Sequence, residues 1–405
     1  MISLKEYTEG RTSFLTADVK KYTGEKKQPT TDMPVFYNPR MRVNRDLSVI
    51  FLTSYMKRNQ VELICEPLAG SGVRTLRYLN EVPGDFNATL CDANPLAIET
   101  ATRNLERYHM LERTKTIRGD AKSLIITESR DKRFDFVDID PFGSPVPYLN
   151  AAVQSLNPRG GLLGATATDM PALCGVYPRV SLRKYGGMST RAPFTHEIAV
   201  RLLLGRIYGI AAMNDCAITP LAVLSTDHYV RVWTRIKGNK TLANRQADSM
   251  GFIKLCPKCY GVYVRTIRES MDSEFKHQRE GCTGTVSTAG PLWIGDMFDR
   301  EILSTAKKIY EKDTAAYDKR TGTLLNQMSM EQDMVKFPYL DIHSLCDMHD
   351  LPSPKRDDVI RLIQEKGYQA VRTHFKATAI RTDAPAREVV MVIRHLIGVE
   401  ESGKT

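Results

Sequence analysis

The stretch that decides the fold is residues 62–72 (ELICEPLAGSG), a short strand-like run that enters a turn of small residues. Three further strand-like runs follow at residues 86–91, 114–118 and 134–139. Helical patterns separate them, with apolar residues three and four positions apart. Strands that alternate with helices in this way predict parallel βαβ units in a doubly wound α/β sheet. Ligands of such sheets bind at the carboxyl ends of the strands, so we expect the chemistry there.

The segments around these runs predict the rest of the architecture. Residues 1–45 are polar and basic and predict an arm rather than a domain. Residues 221–225 and 229–236 predict two strands that close the sheet as a hairpin, and the polar residues 237–248 predict a linker. The expected domains are residues 1–240, which hold the arm and the sheet, and residues 241–405, a second and smaller α/β domain.

Composition excludes several classes of protein. The 405 residues are 42% apolar and 26% charged, ordinary values for a soluble globular chain. No run approaches the about 18 uninterrupted apolar residues of a membrane span, and residues 1–11 are charged where a signal peptide is apolar. We therefore expect a cytoplasmic protein with no membrane partner. Eight cysteines in so long a chain indicate reduced thiols. The oligomeric state stays open, with a monomer favoured.

The positive charge of the chain is concentrated in one region. The formal net charge is +10, and residues 151–250 alone hold 12 basic and 5 acidic side chains. Such a field indicates a polyanionic partner, because lysine and arginine release counterions when they contact phosphates. An arginine-rich surface that serves only stability is the alternative.

Small residues and acids at three successive strand ends indicate a nucleoside-binding site. Small residues let the backbone approach a ligand, and an acid after the second strand can accept both hydroxyls of a ribose. The lone glycine pair at Gly70 and Gly72 provides no pyrophosphate cradle, so a nucleoside without phosphates fits best, and S-adenosylmethionine is the common one. Ordinary loop chemistry is the alternative. The candidate cofactor-binding residues are Glu66, Pro67, Ala69, Gly70, Asp92, Ala93, Asp120 and Ala121, with Arg45 and Arg74 for the cofactor carboxylate.

The fourth strand run ends in residues 138–143 (DIDPFG), which predict a site for a nucleobase amine. Such an amine is a poor nucleophile because its lone pair is delocalised into the ring. The carboxylate of Asp140 and the carbonyl of Pro141 can both accept its hydrogens and direct the lone pair, while Phe142 stacks on the base. Asp138 alternates with Asp140 and is expected to face the cofactor or cap a helix. A purely structural turn is the alternative.

Five motifs together closely resemble the tRNA guanine-26 dimethyltransferase family, and most of all its archaeal form. They are DIDPFGSP (138–145), EPLAGSGVR (66–74), FYNP (36–39) followed by Arg45 and Asp46, AGPLWIGD (289–296) and HFKATAIRTDAP (374–385). The resemblance covers nearly the whole chain. It implies a class I methyltransferase (Rossmann-like) sheet that binds S-adenosylmethionine and tRNA.

The same resemblance implies the reaction and its residues. The reaction is the transfer of two methyl groups to the exocyclic N2 of one guanosine. By matched motif, Arg45, Arg74, Asp92, Asp120 and Ala121 hold the cofactor. The residues that present the amino group are Asp140, Pro141, Phe142 and Gly143, and Phe36 covers the other face of the flipped guanine.

The pair Cys256 and Cys259, with His277 and Cys282 downstream, is a candidate metal site. A CxxC turn places two thiolates on one ion, and a second pair completes a tetrahedron. In the family that this sequence resembles, the members that carry zinc have a second CxxC pair. This sequence has only one cysteine of that pair, Cys282. Three readings stay open: His277 supplies the fourth ligand, the site is vestigial, or it is empty.

Residues 355–381 hold seven basic and three acidic side chains, interleaved with aromatic ones. A helix and an extended basic segment suit contacts with the phosphates and sugars of a structured RNA. We expect such contacts from Arg372, Lys376 and Arg381, with a solvated helix face as the alternative. Two rival functions also stay open: an amino-methyltransferase that acts on adenine or cytosine in another nucleic acid, and a non-catalytic RNA-binding protein on a methyltransferase scaffold.

Overall fold

The computed structural model describes residues 2–23, 29–30, 32–272, 274–277 and 281–399. Among these residues the strands are, in chain order, β1 (Leu4–Glu9), β2 (Thr12–Ala17), β3 (Leu63–Glu66), β4 (Asn87–Asp92), β5 (Thr114–Arg118), β6 (Phe136–Ile139), β7 (Gly161–Ala167), β8 (Cys216–Thr226), β9 (Tyr229–Gly238), β10 (Met250–Leu255), β11 (Val262–Thr266), β12 (Ser287–Trp293), β13 (Leu340–Asp341), β14 (Ala370–Arg372) and β15 (Ala379–Thr382). The α-helices are α1 (Val19–Thr23), α2 (Arg42–Met56), α3 (Val73–Glu81), α4 (Pro95–Glu106), α5 (Ala121–Glu128), α6 (Val146–Ser155), α7 (Met170–Leu173), α8 (Pro178–Tyr185), α9 (Thr195–Met213), α10 (Lys240–Arg245), α11 (Ile267–Asp272), α12 (Arg300–Lys312), α13 (Lys319–Glu331), α14 (Ile342–Met348), α15 (Arg356–Glu365) and α16 (Ala386–Leu396).

Seven strands form the central sheet in the order β5–β4–β3–β6–β7–β9–β8. The first five of these run parallel, and β9 pairs antiparallel with both β7 and β8. The predicted doubly wound sheet is confirmed, and so is the hairpin that closes it, which turns at Asp227 and His228. The chain builds β4 and β5 on one side of β3 and returns to β6 on the other. A crevice therefore opens between the carboxyl ends of β3 and β6.

Burial explains why these runs become central strands. Every residue of β6 and of β7 is buried, as expected for parallel strands that are covered on both faces. Helix α9 packs against β8, β9 and β12, and α2 packs against α3, α12 and α13. The crevice thus lies in a rigid frame.

The amino-terminal segment is more ordered than the predicted arm. Residues 4–17 form the antiparallel hairpin β1–β2. Its β2 strand alternates between buried and half-buried residues, and Phe14 is fully buried. The side chain of Asn104 on α4 bonds to both the amide and the carbonyl of Leu15, at 2.7 and 2.8 Å. The prediction of an arm is wrong for these residues, because they pair as a hairpin that packs on α4 and buries polar as well as apolar side chains, among them Glu9, Thr12 and Thr16.

The predicted linker at residues 237–248 is also structured. Strand β9 continues to Gly238, and α10 follows at once, capped by Asn239, whose side chain accepts a hydrogen bond from the amide of Leu242. The hydroxyl of Tyr208 donates to the carbonyl of Ala243, which is buried. The linker prediction is wrong because the polar residues here cap and cover a short helix.

Two large buried cores and one small cluster organise the part of the chain that the structure describes. The larger one contains residues from Phe14 to Ala379 and includes the small sheet β11–β10–β12, so residues on both sides of position 240 share it. The smaller core joins Tyr260 to residues between Leu340 and Ile393, around the sheet β13–β15–β14. A second, smaller α/β unit is thus present, and the exact domain boundary stays a prediction. Among the described residues, no helix is long and apolar enough to cross a membrane.

Candidate active site

A cavity of about 120 Å³ lies at the carboxyl ends of β3 and β6. Nine residues that the sequence singled out line it together, because they come from neighbouring strand ends, from the start of α3, from α2 and from the segment before α2. They are Phe36, Arg45, Glu66, Ala69, Gly70, Arg74, Asp140, Pro141 and Phe142. The wall is completed by residues that were not predicted as site residues, although five of them lie within the motifs at 36–39 and 66–74: Tyr37, Asn38, Met41, Leu68, Ser71, Val73 and Thr168.

Asp140 is held by a buried arginine. The guanidinium of Arg74 pairs with the Asp140 carboxylate, whose side chain is 20% exposed toward the cavity. Arg74 is itself 3% exposed, and it also donates to the Asn44 side chain at 2.9 Å and the Ser48 hydroxyl at 3.2 Å. Burial alone lowers the pKa of Arg74, but Asp138 and Asp140 raise it far above its ordinary value. Arg74 is therefore a permanent cation that orients Asp140.

Asp138 lies behind this pair, and neither of its two predicted positions is correct. Its carboxylate is buried and accepts hydrogen bonds from Arg231 at 2.7 Å and from the Tyr78 hydroxyl at 2.5 Å, with Arg74 at 3.5 Å. Burial raises the pKa of Asp138, yet Arg231 and Arg74 lower it below its ordinary value overall. Asp138 thus holds Arg74 from behind, and neither faces the cavity nor caps a helix. An arginine inside the apolar run of β9 is the signal that could have revealed Arg231.

The turn after β6 projects an aromatic ring over the cavity. Gly143 has a φ of +76°, in the left-handed region that favours glycine. Its amide donates to the Thr168 hydroxyl at 2.7 Å, and its carbonyl accepts from the Thr168 amide at 2.8 Å, so the turn is tied to the end of β7. Phe142 is 57% exposed, and its ring meets that of Phe36 edge to face, with centroids 4.5 Å apart.

The glycine turn after β3 lies against the end of β4. The carboxylate of Asp92 accepts hydrogen bonds from the amides of Gly70 and Asn94, at 2.8 and 2.9 Å. Gly72 has a φ of +72°, and a Cβ there would lie 2.7 Å from the Cβ of Ala101 on α4. The turn can therefore approach α4 only because Gly72 has no side chain.

The remaining predicted cofactor residues flank the cavity rather than line it. Asp120 is exposed, and its Oδ1 caps α5 by accepting from the amide and the hydroxyl of Ser123, both at 3.0 Å. These bonds lower the pKa of Asp120. The ends of β4 and β5 are adjacent, since the amide of Gly119 donates to the carbonyl of Asp92 at 3.1 Å. The other predicted cofactor residues that flank the cavity are Pro67 and Ala121, which are buried, and Ala93, which is exposed. Gly143, which was predicted to present the amino group, also flanks the cavity and is half-buried.

Arg45 has a partner that sequence reasoning missed. Its guanidinium donates to both carboxylate oxygens of Glu9, at 2.5 and 2.7 Å, and Glu9 also accepts from the Tyr37 hydroxyl at 2.7 Å. Burial raises the pKa of Glu9, but Arg45 and Arg77 lower it to about 2 overall. Glu9 ends β1, in the segment expected to be an arm, and no spacing in the sequence connects it with Arg45.

Glu66 is a buried carboxyl on the cavity wall. It accepts hydrogen bonds from the amide and the hydroxyl of Thr75, at 3.0 and 2.5 Å, and lies 3.8 Å from Arg74. Burial raises the pKa of Glu66 to about 8, against the opposing effects of Arg74 and Thr75. It anchors the first turn of α3, which begins immediately after the glycine turn.

The four predicted metal ligands form one cluster. The donor atoms of Cys256, Cys259, His277 and Cys282 all lie within 4.8 Å of one another. A tetrahedral zinc ion with bonds of about 2.3 Å to sulfur and about 2.0 Å to nitrogen separates its donors by about 3.6–3.8 Å. The Sγ atoms of Cys256 and Cys282 are 3.8 Å apart, and Cys259 Sγ is 3.6 Å from His277 Nδ1. The chemistry of this donor set and these two separations are compatible with a zinc site.

The three predicted RNA contacts have different surroundings. Arg372 is 45% exposed and forms a two-pronged pair with Asp357, and Lys376 is 44% exposed and pairs with Asp341 at 2.7 Å. Arg381 is fully buried, so the prediction that it contacts RNA is wrong.

Buried acids explain the position of Arg381. It pairs with Glu197 and Glu331, each at 2.9 Å, and donates to the carbonyl of Phe337 at 2.7 Å. Glu197, at the start of α9, also pairs with Arg201 at 2.8 Å and is buried in the core. Neighbouring His196 contacts the Ser225 hydroxyl at 3.1 Å through its Nδ1, and burial lowers its pKa. These pairs join α9 and α13 to β15.

Comparison with known proteins decides the family. A family model described as N2,N2-dimethylguanosine tRNA methyltransferase matches residues 16–394. The chain belongs to this family. A tRNA (guanine(26)-N(2))-dimethyltransferase of Methanosphaera stadtmanae is 34% identical over 361 residues, which cover 89% of this chain and 90% of the relative. One of Methanocaldococcus jannaschii is 34% identical over 392 residues, which cover 95% and 97%.

A solved relative extends the match to the three-dimensional fold. The complex of Trm1 from Pyrococcus horikoshii with S-adenosyl-L-methionine matches with a TM-score of 0.79 and 29% identity, over 96% of this chain and all of that one. The class I methyltransferase fold is thereby confirmed. The part matched to the N2,N2-dimethylguanosine tRNA methyltransferase family contains every predicted site residue, whereas Glu9 precedes it.

Proposed function

We propose that this chain is an S-adenosylmethionine-dependent tRNA (guanine(26)-N(2))-dimethyltransferase, which methylates the exocyclic N2 of guanosine 26 once and then again. The observation that carries the proposal is the position of Asp140. Its carboxylate opens into the cavity at the carboxyl end of β6. Pro141 lies beside it, with the rings of Phe36 and Phe142, which meet edge to face. Membership of the family supports the same substrate and cofactor.

The chain's own residues account for activation of the amine. S-adenosylmethionine, when bound, supplies a methyl group on a positively charged sulfur. Asp140 and the Pro141 carbonyl accept the two amino hydrogens and direct the nitrogen lone pair at that methyl carbon. As the nitrogen–carbon bond forms and the carbon–sulfur bond breaks, Asp140 receives the proton that the nitrogen loses. Arg74 keeps the Asp140 carboxylate in place through both events.

The second methylation uses the same residues with one hydrogen bond fewer. After the first transfer the nitrogen carries a single hydrogen, so it can donate to Asp140 or to the Pro141 carbonyl but not to both. Because Asp140 is the group that can receive the proton, we expect it to take the remaining hydrogen. The second transfer should therefore be the slower one.

Phe36 and Phe142 act as the two walls of the base site. A stacked base needs about 3.5 Å on each side, so the rings must stand about 7 Å apart to hold guanine between them. Their centroids are now 4.5 Å apart, edge to face. Phe142 is exposed and precedes the glycine of the turn, so we expect its ring to swing away when guanine leaves the RNA stack and enters.

The flanking strand ends are proposed to hold the cofactor. Asp92 already accepts two backbone hydrogen bonds, and a carboxylate has about four acceptor positions, so two remain for ribose hydroxyls. Asp120 and Ala121 lie at the next strand end and are proposed to contact the base of the cofactor. Arg45 and Arg74 line the cavity as cations for the cofactor carboxylate, although each also serves an acid of the protein.

Zinc is proposed as a structural ion of the cluster at Cys256, Cys259, His277 and Cys282. The donor separations support it, and so does Gly284, where a Cβ would lie 2.5 Å from the Cys256 sulfur. A closed set of four protein ligands is typical of structural zinc sites. The ion would tie β10 to the segment before β12, and no catalytic step involves it.

A basic surface beside the catalytic turn supports RNA binding. Residues 170–196 hold four basic side chains and no acidic one, and Arg179, Arg183 and Arg191 are exposed. Tyr177, 57% exposed, adds an aromatic surface. This segment joins the catalytic turn, because the hydroxyls of Ser144 and Tyr185 lie 2.9 Å apart. We propose that it holds the RNA strand next to the flipped guanosine, with Arg372 and Lys376 as more distant contacts.

Methyl transfer from tritiated S-adenosylmethionine into tRNA and into duplex DNA tests the proposal. We expect incorporation into tRNA alone. Incorporation into DNA would favour the rival that acts on adenine or cytosine. No incorporation, together with no binding of S-adenosylmethionine in calorimetric titration, would favour a non-catalytic RNA-binding protein. The cytoplasmic location, the monomeric state and the domain boundary at residue 240 stay predictions.

A further inference from the structure

A second cavity, of about 340 Å³, lies where the hairpin β10–β11 meets the carboxyl-terminal unit. Tyr260, Tyr263 and Arg265 form the hairpin wall, while Phe337, Tyr339 and residues 382–386 form the other wall. We call it the seam cavity. Its volume falls in the range of about 300–1,000 Å³ that is typical of small-ligand pockets. None of these residues lines the cavity that contains Asp140.

The walls of the seam cavity combine aromatic rings with one cation, Arg265, and Lys336 lies next to the wall residue Phe337. Tyr260 and Tyr339 are buried, Tyr263 is half-buried, and Phe337 is 43% exposed. The guanidinium of Arg265 lies 5.2 Å from the centre of the Tyr263 ring, and the Lys336 amine lies 5.9 Å from that of Phe337. Flat rings beside positive charges are the features that bind unpaired nucleotides, since every base has a face that stacks and every nucleotide has a phosphate.

One polar group next to the seam cavity lacks a partner. The hydroxyl of Tyr339, a residue of the cavity wall, is covered by protein atoms and has no hydrogen-bond partner among the described residues. Buried hydroxyls are normally paired, so a base that displaces the atoms covering this hydroxyl can supply the missing bond. The carboxylate of Asp383 also lines the cavity, held by the amide of Gln369 at 2.8 Å, and can accept from the edge of a base.

The seam cavity is connected to the catalytic edge of the sheet. The amide of Tyr339 donates to the carboxylate of Glu197 at 3.1 Å. Glu197 lies in the first turn of α9, and α9 begins where the segment after the carboxyl end of β7 returns to the sheet. The wall of the seam cavity is therefore tied to the helix that follows the catalytic edge.

We propose that the seam cavity holds one unpaired nucleotide of the tRNA, at a distance from the guanosine that is methylated. This inference rests on the proposed function. The base stacks on Phe337 and Tyr263, its edge meets the Tyr339 hydroxyl and Asp383, and its phosphate lies beside Arg265 and Lys336. A free mononucleotide has the same chemistry and is the other source that the test must separate.

The test compares Phe337→Ala and Tyr339→Phe with the control Met391→Ala, which removes an exposed apolar side chain elsewhere on the carboxyl-terminal unit. We expect Phe337→Ala to weaken tRNA binding, measured by fluorescence anisotropy, by about 5- to 150-fold, the effect of losing one stacking ring. Tyr339→Phe should weaken it by about fivefold without lowering the melting temperature, because the hydroxyl has no partner in the protein. If the Tyr339 hydroxyl had only a structural role, Tyr339→Phe would lower the melting temperature and leave the affinity for tRNA unchanged.

Two further measurements are needed. One distinguishes a tRNA nucleotide from a free mononucleotide, and the other distinguishes this inference from the proposed function. Adenosine monophosphate and guanosine monophosphate are titrated against the parent chain and Phe337→Ala. If the mononucleotide binds only when Phe337 is present, while parent and variant bind tRNA equally well, the inference is overturned in favour of a free nucleotide. Equal tRNA affinities of parent, Phe337→Ala and control, without mononucleotide binding, would overturn it outright. Methylation of tRNA by the parent chain is measured in parallel, so that failure of the proposed function is seen separately.

Discussion

Replacing Asp140 by asparagine removes one negative charge and one proton acceptor while keeping the shape of the side chain. The variant amide has two orientations. If its NH2 group faces Arg74, two donors face each other. If its NH2 group faces the guanine amine, that amine has lost its acceptor. Loss of one group that stabilises charge in the reacting complex lowers kcat by about 10²–10³-fold, and we expect that range here. The fold should tolerate the change, because Arg74 keeps Asp138 at 3.5 Å and Glu66 at 3.8 Å as partners.

Steady-state methylation of tRNA provides kcat and KM, and calorimetric titration provides the affinity for S-adenosylmethionine. The cofactor affinity should stay within about threefold of the parent value, because the change lies at the amine and not at the strand ends that hold the nucleoside. Asp131→Asn, at an exposed acid between α5 and β6, is the matched control and should leave kcat unchanged. A parental kcat in Asp140→Asn would remove Asp140 from the mechanism.

The other predictions concern the base site, the buried ion pairs and the metal cluster. Phe142→Ala should raise KM for tRNA by about 5- to 150-fold and leave cofactor affinity unchanged; an unchanged KM would show that the ring does not stack on guanine. Glu331→Gln leaves Arg381 with one buried acid fewer and should lower the free energy of unfolding by about 3 kcal/mol in urea titrations; a loss under about 0.5 kcal/mol, the size of a surface change, would contradict this. The pKa values of Glu9 and Glu331 are about 2 in the folded chain against an ordinary 4.5, so their contribution to stability is present above pH 4.5 and lost as the pH falls toward 2; a melting temperature that stays constant over that window would contradict the pairing. Cys282→Ser should reduce bound zinc, measured by plasma mass spectrometry, from one ion per chain to a substoichiometric amount, whereas equal zinc content in parent and variant would place the metal elsewhere.

The central sheet could be predicted because its information is local. Each of the runs that became β3, β4, β5 and β6 is a short strand-like stretch next to a turn or an acid. Their alternation with helices predicts parallel strands whose carboxyl ends lie at one edge of the sheet. The residues that meet at the crevice, such as Gly70 and Asp140, follow from that order. The cysteine and histidine cluster was also accessible, since a CxxC turn is visible in the sequence.

The buried ionic network was not predictable, because its members are far apart in the chain. Glu9 meets Arg45 across 36 residues, and Glu331 meets Arg381 across 50. A basic side chain that contacts RNA and one that is buried against an acid look the same in a composition count, which is why Arg381 was assigned to the surface. Its partners Glu197 and Glu331 lie next to it only in the folded chain, where α9 and α13 pack against β15.

Nucleoside mass spectrometry of tRNA, after incubation with the chain and deuterium-labelled S-adenosylmethionine, identifies the methylated base, the methylated atom and the number of methyl groups together. We expect N2-methylguanosine followed by N2,N2-dimethylguanosine, both absent when position 26 of the transcript is adenosine. A methyl group on a ring nitrogen, on adenosine or on cytidine would contradict it, because the paired acceptors of Asp140 and Pro141 would then be presenting the wrong atom.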